Sequence, residues 1–215
     1  MPVEYENDVN LAAVAEQRLG AARDHEDFVL LWNQEGLGAA LVLGGRLHRG
    51  WTGGAGEVGF LPVPGAPLVR KVSRTGSGGF QELAGSQALP GLARELGVTD
   101  VPPGSHPEVA AALVARAAQA DDDPHRRLLQ TYATRLATGL ASLVSVLDPE
   151  LVVLSGTSLT AGGEALRDLV QDELEELAAS RPRLAVADVT EHPVLRGALE
   201  SALATTRDEV FDTSR

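Results

Sequence analysis

Glu57 is the residue of this sequence best placed by its surroundings to do chemistry. It stands inside Gly50-Trp51-Thr52-Gly53-Gly54-Ala55-Gly56-Glu57-Val58-Gly59, where glycine fills five of ten positions. Backbone so rich in glycine can come close to a ligand or to another stretch of backbone. Asn7-Asp8, at the start of a helical run, is a second candidate. An Asx residue there most simply caps the helix. The same position favours a charged carboxylate. Asp121-Asp122-Asp123 can hold a metal, but just before Pro124 it reads more simply as a helix cap with favourable dipole charges. His25, His48, His106, His125 and His192 show no ligand spacing. There are no cysteines, which excludes disulfides, thiol catalysis and cysteine-ligated zinc.

These residues need elements to position them. Phe28 to Trp32 is an apolar run that predicts a buried strand, and Leu37 to Leu43 predicts a second. Gly44-Gly45 predicts a two-residue hairpin turn, with Arg46 to His48 returning. Residues 3–6 fit the end of a strand, and Asn7-Asp8 opens a helix over Val9 to Leu19, stopped by Gly20. After Pro62 and Pro64, residues 65–79 read as irregular. Residues 82–97 read as helical, interrupted by Pro90-Gly91, and Pro107 to Ala120 as a further helix. Pro124 to Leu147 is the longest helix, because Leu129, Tyr132, Leu136, Leu140, Leu143 and Leu147 recur at three- and four-residue spacing. Asp148-Pro149 ends it, and Leu151 to Leu154 is a short buried strand followed by Ser155-Gly156-Thr157. Gly163 to Ala179 reads as an amphipathic helix, Leu184 to Val189 as an alternating strand, and Leu195 to Leu199 as the opening of a last helix. The tail after Phe211 is polar and expected to fray. This order predicts an α/β fold with a mixed central sheet, an antiparallel first hairpin and helices on both faces.

Composition narrows the function classes. The chain has 215 residues, with 44% hydrophobic, 22% charged and only 4% aromatic, so the core must rest on Leu, Val and Ala. No apolar run approaches the ~20 residues of a membrane helix. The first ten residues hold three acidic groups and no basic one, unlike a signal peptide, and a cytoplasmic location is expected. The net charge is −12, from 18 basic and 30 acidic residues, which argues against a broad nucleic-acid surface. Lysine occurs once, at Lys71. If a basic face exists, it is expected near Arg70, Lys71 and Arg74.

The ordered series Gly45-Arg46-Leu47-His48-Arg49-Gly50 and then Ala55-Gly56-Glu57-Val58-Gly59-Phe60 resembles the ROK family of repressors, open reading frames and kinases. Its members carry "G-x-L-x-x-G" followed by "A-G-E-x-G-H". Glu6-Asn7-Asp8-Val9-Asn10-Leu11-Ala12-Ala13-Val14-Ala15-Glu16 is similar to the family's "E-N-D-x-N-x-A-A-x-A-E". The resemblance covers essentially the whole chain but about the second half of a typical member. It implies one lobe of the actin-like, hexokinase-like ATPase (ribonuclease H-like) fold. Residues 1–25 would be a remnant of the first lobe and its connecting helix, and residues 26–215 the C-terminal lobe. It also implies that Asn7, Asp8, Glu57 and Glu82 bind sugar hydroxyls, with Asp8 the general base if the protein is a kinase. Glu82 would meet the anomeric end of the sugar, and Glu57 and Glu82 should then face one cleft with Asp8. The bland reading of Glu82 is a helix N-terminal charge beside Ser77-Gly78-Gly79.

Several departures from the family pattern point away from kinase chemistry. The family's phosphate loop, "G-T-G-I-G-x-G", corresponds to Asn33-Gln34-Glu35-Gly36-Leu37-Gly38-Ala39. It keeps Gly36 and Gly38 but gains Glu35, which repels a triphosphate unless a metal intervenes. The Gly-Gly that admits adenosine is Gly156-Thr157. The family's zinc ligands, one His and three Cys, are gone: the His is Phe60, and Gly-Cys-x-Glu is Gly79-Phe80-Gln81-Glu82. No zinc is therefore expected, with apolar packing in its place, and ATP and Mg²⁺ enter only if the chain is a kinase fragment. The first-lobe phosphate loop "D-x-G-G-T" and the winged helix-turn-helix of the family's transcription factors are not in this sequence. The chain is expected to be a truncated reading frame, a separated domain or a degenerate copy. The expected function is a sugar-sensing and dimerising domain of a ROK regulator, meeting DNA only through an N-terminal domain. The alternative is a fragment of a ROK sugar kinase.

Overall fold

The computed structural model describes residues 5–69 and 78–211. Residues 3–4, most of the stretch 65–79 with Arg70, Lys71 and Arg74, Ser77, and the tail after Phe211 bear expectations that lie outside the described residues.

One five-stranded sheet has the order β3-β2-β1-β4-β5. β1 (Phe28–Asn33) pairs antiparallel with β2 (Leu37–Leu43), with Leu30 opposite Ala40. β2 pairs antiparallel with the short β3 (Arg46–Leu47). On its other side β1 runs parallel to β4 (Leu151–Ser155), and β4 runs parallel to β5 (Arg183–Val186). β1 and β4 are buried at every residue, which is why they read as continuous apolar runs rather than alternating ones. The turn between β2 and β3 holds Gly44 at φ 57° and Gly45 at φ 72°. Two successive positive φ values make this a hairpin turn whose twist matches its strands.

Residue parity in the sheet divides the core into two layers. Phe28, Leu30 and Trp32 of β1 join Leu151 and Val153 of β4 under α1 (Asp8–Leu19) and the start of α7 (Pro193–Phe211). Val29 and Leu31 join Val152 and Leu154 under the other helices. Those are α2 (Gly79–Ala84), α3 (Leu89–Glu95), α4 (His106–Gln119), α5 (Asp123–Leu147) and α6 (Thr157–Leu177). The expected mixed sheet with helices on both faces is the one observed.

The boundaries differ from the sequence reading for local reasons. The break in residues 82–97 falls at Gly85, between α2 and a 3₁₀ turn, not at Pro90. Pro90 sits in the first turn of α3, where its missing N–H has no partner to lose. α4 starts at His106 because the Glu108 carboxylate accepts from the Ser105 N–H at 2.9 Å and its hydroxyl at 2.8 Å. Asp122 caps α5 by accepting from the His125 N–H at 3.1 Å, so the acidic triplet is a cap. α6 begins at Thr157, and Gly163 (φ 53°, ψ −148°) is a kink inside it. β5 ends early because Glu16 intervenes. This buried carboxylate accepts from Val189 N at 2.8 Å, Asp188 N at 3.3 Å and Ala21 N at 2.8 Å, tying the end of α1 to the chain leaving β5.

Candidate functional site

Asp8 owes its place to the first turn of α1. Asn7 is the N-cap, with extended backbone (φ −67°, ψ 143°) and a side-chain oxygen 2.9 Å from Val9 N. Asp8 Oδ1 also accepts from Val9 N, at 2.8 Å, and the rest of its side chain is exposed. Glu6, one residue before the cap, accepts from Asn7 N at 3.0 Å and Asn10 Nδ2 at 2.7 Å. Burial by itself would raise the Glu6 carboxyl. The Asn10 amide, the Asn7 N–H and the Arg49 guanidinium outweigh it and hold Glu6 below the ordinary glutamate range.

Glu57 is held by glycines that press on β2. Gly56 has φ 93°, and a Cβ there would lie 1.9 Å from the Ala39 carbonyl oxygen. Ala39 N donates to Gly56 O at 2.8 Å, so the loop continues the sheet edge beyond β3. A Cβ on Gly59 would lie 2.7 Å from Leu37 O. From the other side Val9 lies over Gly38, 3.4 Å from where a Cβ would stand. Gln81 of α2 steadies the β1–β2 turn by accepting from Leu37 N at 2.5 Å.

These contacts bring Asn7, Asp8 and Glu57 to one cleft of about 430 Å³, together with Glu35, Gly36 and Gly38. Asp8, Glu35 and Glu57 are all exposed there, and no Lys or Arg is among the described residues that line it. Glu82 stands apart. It is exposed on α2 but does not line this cleft, so the expected grouping of Asp8, Glu57 and Glu82 holds for the first two and not for the third.

A second cleft of about 590 Å³ adjoins the first, and Trp32, Gln34 and Val194 line both. Gly156 and Thr157 belong to this second cleft, so they do not share a wall with Gly36 and Gly38. Gly156 has a structural reason to be glycine. At φ 88°, a Cβ there would lie 2.4 Å from the Asn33 carbonyl oxygen, where the ends of β1 and β4 meet.

A model of the ROK family matches residues 1–204. The chain belongs to the ROK family. The bifunctional enzyme NanE/NanK of Brucella suis biovar 1 is 34% identical over 190 residues, covering 87% of this chain and 32% of that protein. A putative xylose repressor of a Caldicellulosiruptor species is 26% identical over 186 residues, covering 84% of this chain and 45% of its own length. Among solved structures, the ROK hexokinase from Thermus thermophilus superposes with a TM-score of 0.74 at 32% identity, over 96% of this chain and 67% of that one. The chain thus spans about a third to a half of the curated ROK relatives named here. The fold is that of the ROK hexokinase-like ATPases.

ROK membership raises the question of zinc, and the residues present do not fit it. The two positions described above as replaced ligands are Phe60, half-buried, and Phe80, fully buried. The Phe80 ring fills the space beside Gly139 of α5, where a Cβ would lie 2.3 Å from it. No group of three His, Cys, Asp or Glu side chains placed to hold a metal occurs among the described residues.

Beneath the clefts lies a polar network that sequence reasoning missed. Asn33, wholly buried at the end of β1, donates from Nδ2 to Ala84 O at 2.9 Å and to the Tyr132 hydroxyl at 2.8 Å. Its Oδ1 accepts from Ser86 N at 3.0 Å, and its carbonyl accepts from the Ser158 hydroxyl at 3.3 Å. Burial pushes the Tyr132 phenol up to about 12, against the opposing hydrogen bonds from Ser158 and Asn33. One residue therefore joins β1, α2, α5 and α6 under the site, the first three through its side-chain amide and α6 through its main-chain carbonyl. The available signal was a polar residue closing an otherwise apolar strand.

Proposed function

We propose that this lobe binds a sugar to sense it rather than to phosphorylate it, as the effector domain of a ROK transcriptional regulator. The observation that carries this is the acidic cleft. Asp8, Glu35 and Glu57 face it, and none of the described residues that line it is Lys or Arg. Carboxylates suit neutral hydroxyls, which donate to them. They oppose phosphates: two unit charges of like sign at about 4 Å repel by about 4 kcal/mol at an effective dielectric constant of about 20. Asn7, Asp8 and Glu57 are the proposed hydroxyl contacts. Contact with DNA would come through a separate domain, and dimerisation through this lobe.

A sugar kinase is the second reading. It is favoured by Asp8, whose carboxylate is exposed at a helix start facing the cleft, and by the kinase names of relatives above 30% identity. Both readings require sugar binding. Calorimetric titration with a panel of hexoses, pentoses and N-acetylated hexosamines should give a saturable signal for at least one. Asp8→Asn and Glu57→Gln should each weaken it on the order of tenfold or more, as expected when a hydrogen bond to a charged group is lost. A panel with no saturable binding at all would remove both readings.

A further inference from the structure

The second cleft is larger than the first, continuous with it, and of different chemistry. Its walls include Trp32, Val189, Pro193, Val194, Leu195 and Ala198, with hydroxyls from Ser155, Thr157, Thr160 and Thr190 at one side. Like the first cleft, it has no Lys or Arg among the described residues that line it, and His192 and Gln34 are its other polar side chains. Trp32 is 9% exposed and lines both clefts, so its indole forms the common floor. Leu195, at the head of α7, is 68% exposed and offers apolar surface at the rim with nothing over it among the described residues. Two features decide what can lie here. Among the described residues, a polyanion would find no Lys or Arg in either cleft, one imidazole, His192, in the second, and three carboxylates in the first. An uncharged apolar group would remove the surfaces of Val194, Leu195 and Ala198 from water, which is favourable in proportion to area.

We infer that the ligand of this lobe is a sugar bearing an uncharged apolar substituent. The sugar ring lies over Asp8 and Glu57, and the substituent lies on Trp32, Val194 and Leu195 in the second cleft. This rests on the sugar-binding reading and goes beyond it, because it gives the second cleft an occupant other than a nucleotide. The clefts meet along the ends of β1 and β4, so a ligand spanning both runs across the sheet from the β2 side toward β5.

The test compares matched ligands of each sugar that the chain binds. The unsubstituted sugar is titrated beside its methyl glycosides, its phenyl glycosides of both anomers, and its 6-O-benzyl ether. We expect one aromatic derivative to bind on the order of tenfold tighter than its unsubstituted or methyl counterpart, the scale expected from burying a phenyl ring. Its binding should change the fluorescence of Trp32, read in a Trp51→Phe background because Trp51 is fully exposed. Leu195→Asp should remove the aromatic advantage. Equal affinity for free and aromatic-bearing sugars would overturn this inference while leaving sugar binding intact. Absence of binding by every sugar would overturn the sugar reading and this inference with it. Displacement of the aromatic derivative by ADP would make the second cleft a nucleotide site and also overturn it.

Discussion

Arg49 holds one carboxylate oxygen of Glu6 with two nitrogens, Nε at 2.7 Å and Nη2 at 2.6 Å. Glu6 precedes the cap of α1, and Arg49 enters the glycine-rich loop that carries Glu57. The pair therefore fixes Asp8 and Glu57 relative to each other without lining their cleft. Arg49→Ala should weaken sugar binding several-fold through lost positioning, and Arg49→Lys should restore only part of it, since an ammonium cannot reproduce the fork. The pair also has a pH signature. Glu6 is depressed in the folded state, so its contribution to stability is present above its ordinary value of 4.5 and is lost as pH falls through the lower folded value. Urea midpoints of wild type and Arg49→Ala should converge on acidification below that value. A difference that stays constant would show that the pair does not act through ionised Glu6.

Asn33→Leu should be among the most damaging single changes. It leaves the Ala84 carbonyl and the Ser86 N–H buried without partners, at about 1–3 kcal/mol each. A loss on the order of 3 kcal/mol is expected in chemical denaturation. The Tyr132 hydroxyl it engages gives a second readout. Because this phenol is raised in the folded state, its contribution is present below 10.0 and is lost as pH rises toward about 12. Tyr132→Phe should flatten that alkaline loss.

Gly56→Ala separates the loop from the rest of the fold. The positive φ of Gly56 costs a side-chain-bearing residue about 1–3 kcal/mol, and the added Cβ runs into Ala39 O. The loop must then lift from β2 and carry Glu57 away. Sugar affinity should fall at least as far as in Glu57→Gln, while circular dichroism in the far ultraviolet changes little. Retained affinity would mean that Glu57 is not a ligand contact.

Protein prepared without added zinc should contain well under one equivalent, and chelation should leave the melting temperature unchanged. The Phe80 ring against Gly139 is the reason. Gly139→Ala should instead destabilise by about 1–3 kcal/mol through overpacking. Stoichiometric zinc would show that ligands other than those replaced by Phe60 and Phe80 hold a metal.

Local chemistry that repeats or punctuates was legible in the sequence. Phe28 to Trp32 and Leu151 to Leu154 announce buried strands by being apolar throughout, and Gly44-Gly45 announces its turn. The start of α4 was also there to be read, as Ser105 with Glu108 three residues on, but the nearby Pro107 drew the boundary instead. What the sequence did not disclose are relationships across long separations. Glu16 looks like an ordinary helical acid until the chain leaving β5 brings Asp188 and Val189 to it. Gly156 looks like a ligand-admitting glycine until Asn33 is seen against it. In the candidate cleft, Asp8 and Glu57 stand out in the sequence by type and context. Their joining depends on Val9 meeting Gly38 and on Gly56 meeting Ala39, which no spacing encodes. Glu82 shows the converse, a matching residue that does not line their cleft.

Sensing without phosphoryl transfer is tested most directly by coupled ADP release, with this chain, ATP, Mg²⁺ and the sugars found to bind. A general base contributes typically about 10²–10⁴-fold, and Asp8 cannot replace the groups that place and neutralise the γ-phosphate. With Glu35 in the cleft and no Lys or Arg among the described residues that line it, we expect ADP release at the sugar-free background rate for every sugar that binds. Sugar-dependent release that disappears in Asp8→Asn would contradict the sensing function and establish the lobe as part of a kinase.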